Sequence, residues 1–277
     1  MTTATKLITQ VCDELNLKHS FVDGDQVFLC IHFSKKDYFI INNKLGLVND
    51  VDAFIAKDKA YQYQLLYKHL SMPLTKLYVD PDSDYADCAQ FKNIKNIVQN
   101  ITDSFSFPLI IKRNTGSMGD HVFRCQTKKE VQQTISKIFD QRNKSYDHVL
   151  LAQENIDIDK EYRVIVYKEK VVFLYEKDIS NAKFIGNLSP LHWENSKSII
   201  VSDEKVKARI EQFVKKMFKV WPISYAGLDI VKDKQGKFCL IEVNAAPTFA
   251  EFCKHSNPNY IKDLYRLVLS DLAQKWK

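Results

Sequence analysis

The chain is expected to fold as α+β lobes and not as a doubly wound parallel sheet. Three observations carry that reading. Its elements come in mixed order, with hairpins beside crossovers. Its 277 residues suffice for two or three packed lobes with sizeable cores. Its composition, 45% hydrophobic and 27% charged, is that of an ordinary globular protein.

The first stretch reads as a helix followed by a hairpin. Leu7, Ile8, Val11 and Leu15 recur at helical spacing, and residues 27–33 and 38–41 alternate around a turn-prone segment at 34–37. A second helix is expected over 58–70, capped by Asp58, with Tyr63, Leu66, Tyr67 and Leu70 on one face and Pro73 as its stop. The acidic, turn-rich segment 80–87 is the best linker candidate.

Beyond Phe107, strands alternate with helices. Residues 109–112 and 122–125 pair around the loop 113–121. Thr127 and Glu130 make a capping box for a helix bearing Val131, Ile135, Ile138 and Phe139. Strands follow at 149–154, 161–167 and 170–174, then an aperiodic segment at 179–197. A helix carries Val206, Ile210, Phe213, Val214 and Met217, and a hairpin joins 224–231 to 238–244. The closing amphipathic helix uses Ile261, Leu264, Tyr265, Val268 and Leu272. The expected division is an N-terminal lobe and linker over 1–100, a central lobe over 101–175 and a C-terminal lobe over 176–277.

Several classes are set aside. No apolar run approaches the ~20 residues of a membrane span, and residues 1–17 lack the layout of a secretory signal. The six cysteines (Cys12, Cys30, Cys88, Cys125, Cys239, Cys253) contain no C-x-x-C pair. That argues against a zinc ribbon or disulfide scaffold and for a cytoplasmic, reducing location. With 40 Lys+Arg against 34 Asp+Glu the net charge is +6. No basic run is interleaved with aromatics, so the excess reads as a solvated surface and not a nucleic-acid face.

The strongest local signal is the last hairpin, where Gly227 and Asp229 face Ile241, Glu242 and Asn244. Alternation puts Glu242 and Asn244 on one face of their strand. A turn at 233–236 sets Asp229 opposite Leu240 and diagonal to Glu242, roughly 7–8 Å away, a gap that a shared cation closes. Two carboxylates and an amide oxygen form a hard donor set suited to Mg²⁺. The alternative is a solvated surface strand. The apolar or small flanks, Cys239 to Ile241 and Ala245 to Pro247, weigh against it, because unpaired polar groups on a buried strand are costly. A one-residue slip would turn Asp229 to the other face.

A second signal is Lys112 at the end of an apolar strand, followed by a loop containing Gly116, Ser117 and Gly119. Small residues let backbone amides approach phosphate oxygens, and Lys112 adds a positive charge. Alone, such a loop is equally an ordinary surface hairpin. A third signal is Gln153, Glu154, Asn155 and Ile156 leaving a buried strand, with Glu161 and Arg163 opening the next. A strand end offers backbone groups to a purine edge, and a nearby carboxylate suits ribose hydroxyls. By itself, Glu161 beside Arg163 is an unremarkable structural pair.

In this order and spacing, the three blocks resemble the ATP-grasp superfamily of carboxylate–amine ligases. Asp58 and Lys59, ahead of Met72 and Pro73, resemble the family's Asp-Lys helix, and the resemblance spans about residues 57–249. It implies an ATP-grasp fold in which two α+β lobes clasp ATP, preceded by a short N-terminal α/β lobe. Lys59 and Lys112 would contact the phosphates, and the loop bearing Gly116, Ser117 and Gly119 would cover them. Gln153, Glu154, Asn155 and Ile156 would form the adenine hinge, and Glu161 would hold the ribose. Asp229, Glu242 and Asn244 would bind Mg²⁺. The stretches Glu161 to Val166 and Tyr175 to Lys177, with Asn187 to Ser189, look most like the branch of ribosomal-protein glutamate ligases and the ligase part of cyanophycin synthetase. In that branch Arg163 is expected near an acyl phosphate and Asn187 near the transferred phosphate, with Lys112 as the third catalytic group.

The activity so implied is ADP-forming ligation of a small-molecule or peptide carboxylate to an amine, without nucleic acid or membrane, and compatible with a homo-oligomer. An ATP-grasp kinase acting on a hydroxyl, expected to need a strongly basic acceptor pocket, and a non-catalytic ATP-binding module are the alternatives. The chain departs from the branch at Pro190, Leu191, His192 and Trp193, and again at Ala245 to Phe249. His192 and His121 are further candidates by position only.

Overall fold

The structure, a computed structural model, describes residues 1–276. Helix α1 (Thr3–Glu14) is capped by Thr2 and leads into β1 (His19–Phe21), β2 (Phe28–His32) and β3 (Asp37–Ile41). These strands form an antiparallel meander. The N-terminal lobe is therefore α+β and not the α/β lobe expected, because connections this short close only as hairpins.

Asn49 caps α2 (Asp50–Lys57), a helix absent from the sequence reading. Asp58 ends it and at once caps α3 (Lys59–Leu66), accepting from Tyr61 N at 2.8 Å. The expected helix over 58–70 is thus the second of an abutting pair, and it stops at Leu66.

The second sheet contains β4 (Thr75–Val79), β5 (Leu109–Arg113), β6 (Val122–Cys125) and β7 (Val149–Glu154) in the order β4-β7-β5-β6. Helices α4 (Ile94–Ser104) and α5 (Lys128–Ile138) share its core. Thr127 accepts from Glu130 N at 3.2 Å, but the Glu130 carboxylate returns to Gln126 N at 2.8 Å, one residue before the cap. The capping box therefore closes on one side only. The segment 80–87 lies inside this lobe. Asp80 is 1% exposed, its N–H donates to His148 O at 2.8 Å, and its carboxylate accepts from Tyr146 at 3.0 Å. It is a pinned loop, not a linker.

The third sheet holds β8 (Ile158–Tyr167), β9 (Lys170–Asp178), β10 (Lys197–Ile200), β11 (Tyr225–Asp233) and β12 (Phe238–Asn244), ordered β10-β9-β8-β11-β12 and antiparallel throughout. Helix α6 (Glu204–Phe218) precedes β11, and α7 (Ala250–His255) and α8 (Asn259–Lys275) follow β12. The sheets therefore part the chain at other places than residues 100 and 175. β4 and α4 belong with the second sheet, and β8 and β9 with the third. Strand partners far apart in sequence leave no mark on local composition.

The five-stranded sheet is buried on both faces. Tyr162, Val164, Leu228, Ile230 and Leu240 pack under α6 and against α3. On the other face Ile165, Tyr167, Tyr175 and Tyr225 meet α1, β2, β3 and α8. The first lobe thus docks on the last sheet, covering only the end of that face where the side chains are apolar.

β12 is an edge strand, and its exposed ladder is satisfied by a side chain. Gln62 of α3, 2% exposed, accepts from Val243 N at 2.8 Å and donates to Val243 O at 3.0 Å and Ala56 O at 2.9 Å. One amide thereby ties α3 to the strand that carries Glu242. Gln62→Leu leaves these buried groups unpaired and is expected to cost about 1–3 kcal/mol. Equilibrium urea unfolding checks this, and an unchanged midpoint would contradict it.

Candidate functional site

The site begins with a defect in a ladder. From the turn, Lys232 pairs with Phe238, Val231 with Cys239 and Ile230 with Leu240; then the register shifts and Asp229 pairs with Glu242. An unbroken ladder would have set Asp229 against Ile241 and turned Glu242 to the opposite face. The bulge at Ile241 restores the two carboxylates to one face. The sequence expectation of Asp229 opposite Leu240 and diagonal to Glu242 is corrected: the acids are direct cross-strand neighbours. On its other side Asp229 pairs with Arg163, and Gly227 pairs with Asn244.

Cations hold these acids in place. Asp229 Oδ1 receives Lys177 Nζ at 2.7 Å and lies 3.1 Å from Arg163 Nε. Lys177, 5% exposed, also donates to Glu161. With its amide turned to suit its neighbours, Asn244 donates to Glu242 Oε1 at 3.0 Å and accepts from Arg163 Nη1 at 3.3 Å. Lys59 Nζ stands 3.7 Å from Glu242 Oε1. Gly227 makes room for the guanidinium, since a Cβ there would lie 3.1 Å from Arg163 Nη1. Burial would push the Asp229 carboxyl up, but Arg163 and Lys177 outweigh it and hold it below its usual range. Burial pushes Glu161 up, helped by Asp229 and opposed by Lys177.

The facing wall comes from the second sheet and from α3. Lys112, 4% exposed at the end of β5, donates to Gln153 Oε1 at 3.2 Å, and Gln153 in turn donates to Thr75 at 2.9 Å. Burial, and then the charge of Lys59, push the Lys112 ammonium down to about 8, against the pull of Glu242. Lys59 donates to Gly116 O at 2.7 Å, while Asn114 bridges Ala60 N (2.8 Å) and Asp58 (2.6 Å). The start of α3 is thereby stitched to the glycine loop. Asp147 accepts from Thr115 N at 2.6 Å and steadies the same loop.

A segment from the third-sheet lobe closes on this loop. Asn187 donates to Met118 O at 3.0 Å, and Trp193 donates to Asn187 O while its ring meets Phe184 edge-on at 5.3 Å. Gly119 lies at φ +72°, and a Cβ there would sit 2.1 Å from Asn187 Oδ1. Both conformation and space demand glycine.

Between the walls lies a cavity of about 600 Å³. Lys59, Lys112, Gly116, Ser117, Gly119, Gln153, Glu154, Asn155, Ile156, Glu161, Arg163, Asp229, Glu242 and Asn244 all line it; the expected Asn187 does not, and instead holds the loop at Met118 O. The side chains of the strand end are already engaged: Glu154 accepts from Leu74 N at 2.7 Å, and Asn155 from Arg124 at 3.1 Å. Asn155 and Ile156 follow directly and line the same cavity. His192 lines the wall, whereas His121 is turned to Asp120 at 2.7 Å.

The expected site residues omitted Lys177. The sequence reading ended its strand at 174, so the lysine fell outside. β9 runs to Asp178, and the alternation of Phe173, Tyr175 and Lys177 would have placed it on the site face. Asn43, from the first lobe, also lines the cavity and carried no sequence signal.

For a divalent cation the donor chemistry fits. Asp229 Oδ2 and Glu242 Oε2 carry no hydrogen bond among the described residues, and the opposite amide orientation of Asn244 would turn its oxygen, in place of its nitrogen, toward Glu242.

The closure makes a paired prediction. Gly119→Ala and Gly236→Ala each bear the left-handed penalty of about 1–2 kcal/mol. Gly236 has nothing within 4 Å of an added Cβ, so only Gly119→Ala also displaces Asn187. Urea unfolding should show the larger loss for Gly119→Ala; equal losses would mean that Asn187 is not packed there.

Known proteins share this architecture. Residues 56–268 match the RimK-like ATP-grasp domain. Protein MG012 of Mycoplasma genitalium is 22% identical over 231 residues, covering 83% of this chain and 72% of that one. A probable alpha-L-glutamate ligase of Aeromonas salmonicida is 24% identical over 210 residues, covering 76% of this chain and only 62% of its own length. Among solved structures, the D-alanine–D-alanine ligase of Bacillus anthracis (18% identity, TM-score 0.57) covers 83% of this chain and 69% of its own. The VanG D-Ala:D-Ser ligase of Enterococcus faecalis (16%, TM-score 0.60) covers 83% and 64%. The matched segment runs from α2 to α8 and contains both walls of the cavity, and the chain belongs to the RimK-like ATP-grasp family.

Proposed function

We propose that the protein is an ADP-forming ligase that joins a carboxylate to an amine at the expense of ATP. The observation that carries this reading is the opposition, across one cavity, of Lys59 and Lys112 to the oxygen face of Asp229, Glu242 and Asn244, with Arg163 and Lys177 between the acids. Family membership and the ligases named above support it.

In this reading the substrate carboxylate attacks the γ-phosphorus of ATP and ADP departs, leaving an acyl phosphate. The amine then attacks the acyl carbon, phosphate leaves, and the amine gives up a proton to solvent. Both steps gather negative charge on oxygens. Lys112 and Arg163, fixed by Gln153 and Asp229, are preorganised to meet it. Lys59 and the loop of Gly116, Ser117 and Gly119 hold the phosphates, and Asn187 keeps the loop down. The Gln153 to Ile156 strand end takes the adenine, and Glu161 the ribose. Asp229, Glu242 and Asn244 would hold Mg²⁺, which when bound neutralises phosphate charge. No covalent protein nucleophile is required.

Asn43, Pro247, Thr248 and Glu251 line the cavity too, with Arg163 the cation beside Pro247. An acceptor site for a polyphosphorylated alcohol would need several cations, and these four residues add none, which favours the ligase over a kinase. The glutamate ligases make α-amino acids the first amines and carboxylates to try. The location proposed is the cytoplasm, where free thiols persist. No helix among the described residues is long and apolar enough to cross a membrane.

The test is substrate-dependent ADP release from amino-acid and peptide mixtures, with mass spectrometry of the products. A condensed pair is expected, and a phosphorylated alcohol would overturn the ligase reading. Glu242→Gln should abolish Mg²⁺-dependent turnover. Lys112 adds a pH dependence. Its charged form binds phosphate, so ATP affinity should hold below about pH 8 and fall above it, by up to about tenfold per unit. Lys112→Met should flatten that profile.

A further inference from the structure

We propose that the outer face of the N-terminal sheet binds a zinc ion between Cys30, His32 and Asp37, with water as the fourth ligand. Alternation along β2 sends Leu29 and Ile31 into the core, both 0% exposed, and turns Cys30 and His32 outward. Asp37 of β3 pairs directly with His32 across the ladder. The three side chains therefore meet on one face without any loop having to fold over them.

The ligand atoms are already close. His32 Nδ1 lies 2.8 Å from Asp37 Oδ1 and 3.8 Å from Cys30 Sγ, and all three atoms fall within 4.8 Å of one another. Tetrahedral zinc, with bonds of about 2.0–2.3 Å, spaces its ligand atoms by roughly 3.3–3.6 Å. The second imidazole nitrogen is held as well: Nε2 meets Ser20 Oγ of β1 at 3.0 Å, which leaves Nδ1 to the metal.

An ordinary His–Asp ion pair explains two of the three residues. It does not explain Cys30, which faces outward, is 4% exposed, and has the imidazole as its sole polar partner among the described residues. A mixed sulfur, nitrogen and oxygen set selects zinc over magnesium, so this site differs in kind from the oxygen-only face of Asp229, Glu242 and Asn244. The ion would tie β2 to β3 in the lobe that lends Asn43 to the cavity.

The experiment uses the full chain with excess Mg²⁺ present to fill any hard-oxygen site. Zn²⁺ alone is titrated in competition with a chromogenic chelator, and Co²⁺ is titrated to read the thiolate-to-metal charge-transfer absorption. The proposal expects one equivalent of Zn²⁺ and a charge-transfer band, both lost in Cys30→Ser. Weakened binding is expected in Asp37→Asn, whose half-exposed side chain can change without unfolding the chain, and circular dichroism checks the fold of each variant. Cys88→Ser, at the exposed thiol, should change nothing. Absence of a bound equivalent, survival of the band in Cys30→Ser, or its loss in Cys88→Ser would each overturn the proposal.

Discussion

Everything at the site depends on one buried anion. Asp229 is 9% exposed in the middle of a strand, where an uncompensated carboxylate would cost several kcal/mol. Lys177 and Arg163 meet the same oxygen of it, and each brings a second acid or amide with it, Glu161 through Lys177 and Asn244 through Arg163. The result is a network whose members fix one another's positions before any ligand arrives. Such a lattice resists rotation of its side chains, which is what a site for directed phosphate chemistry needs.

The same sheet face explains why the protein needs its first lobe. At one end Ile165, Tyr167 and Tyr225 require an apolar cover, and α1, β2, β3 and α8 supply it. At the other end the charges of Arg163, Lys177, Asp229 and Glu242 require a polar cavity, and that end is left open to face Lys112. The boundary falls at Tyr175, whose backbone pairs with Arg163. A single alternating pattern thus builds half a core and half a site.

Much of the site was legible in residue types at strand ends. Lys112 closes an apolar run, Gly116, Ser117 and Gly119 mark a small-residue loop, and Glu242 and Asn244 share a face by simple alternation. Lys177 was missed for a related reason: charged residues at 176–178 looked like the end of a strand that in fact continues. Short elements such as β1 and α7 were missed because three to six residues carry too little periodicity. The segment 80–87 misled because acidic turn residues resemble a linker when their partners, Tyr146 and His148, are more than sixty positions away.

By itself the sequence determined the α+β class, the order of most of the elements and the chemistry available, because alternation, capping and residue type act over a few neighbours. Tertiary structure alone decided how that chemistry is assembled. The bulge at Ile241 chose the face on which Glu242 meets Asp229, and a ladder defect depends on the partner strand. Asn187 reached the glycine loop, and Gln62 the edge of β12, across gaps in sequence that only packing closes. Local rules named the groups; long-range contacts gave them their geometry.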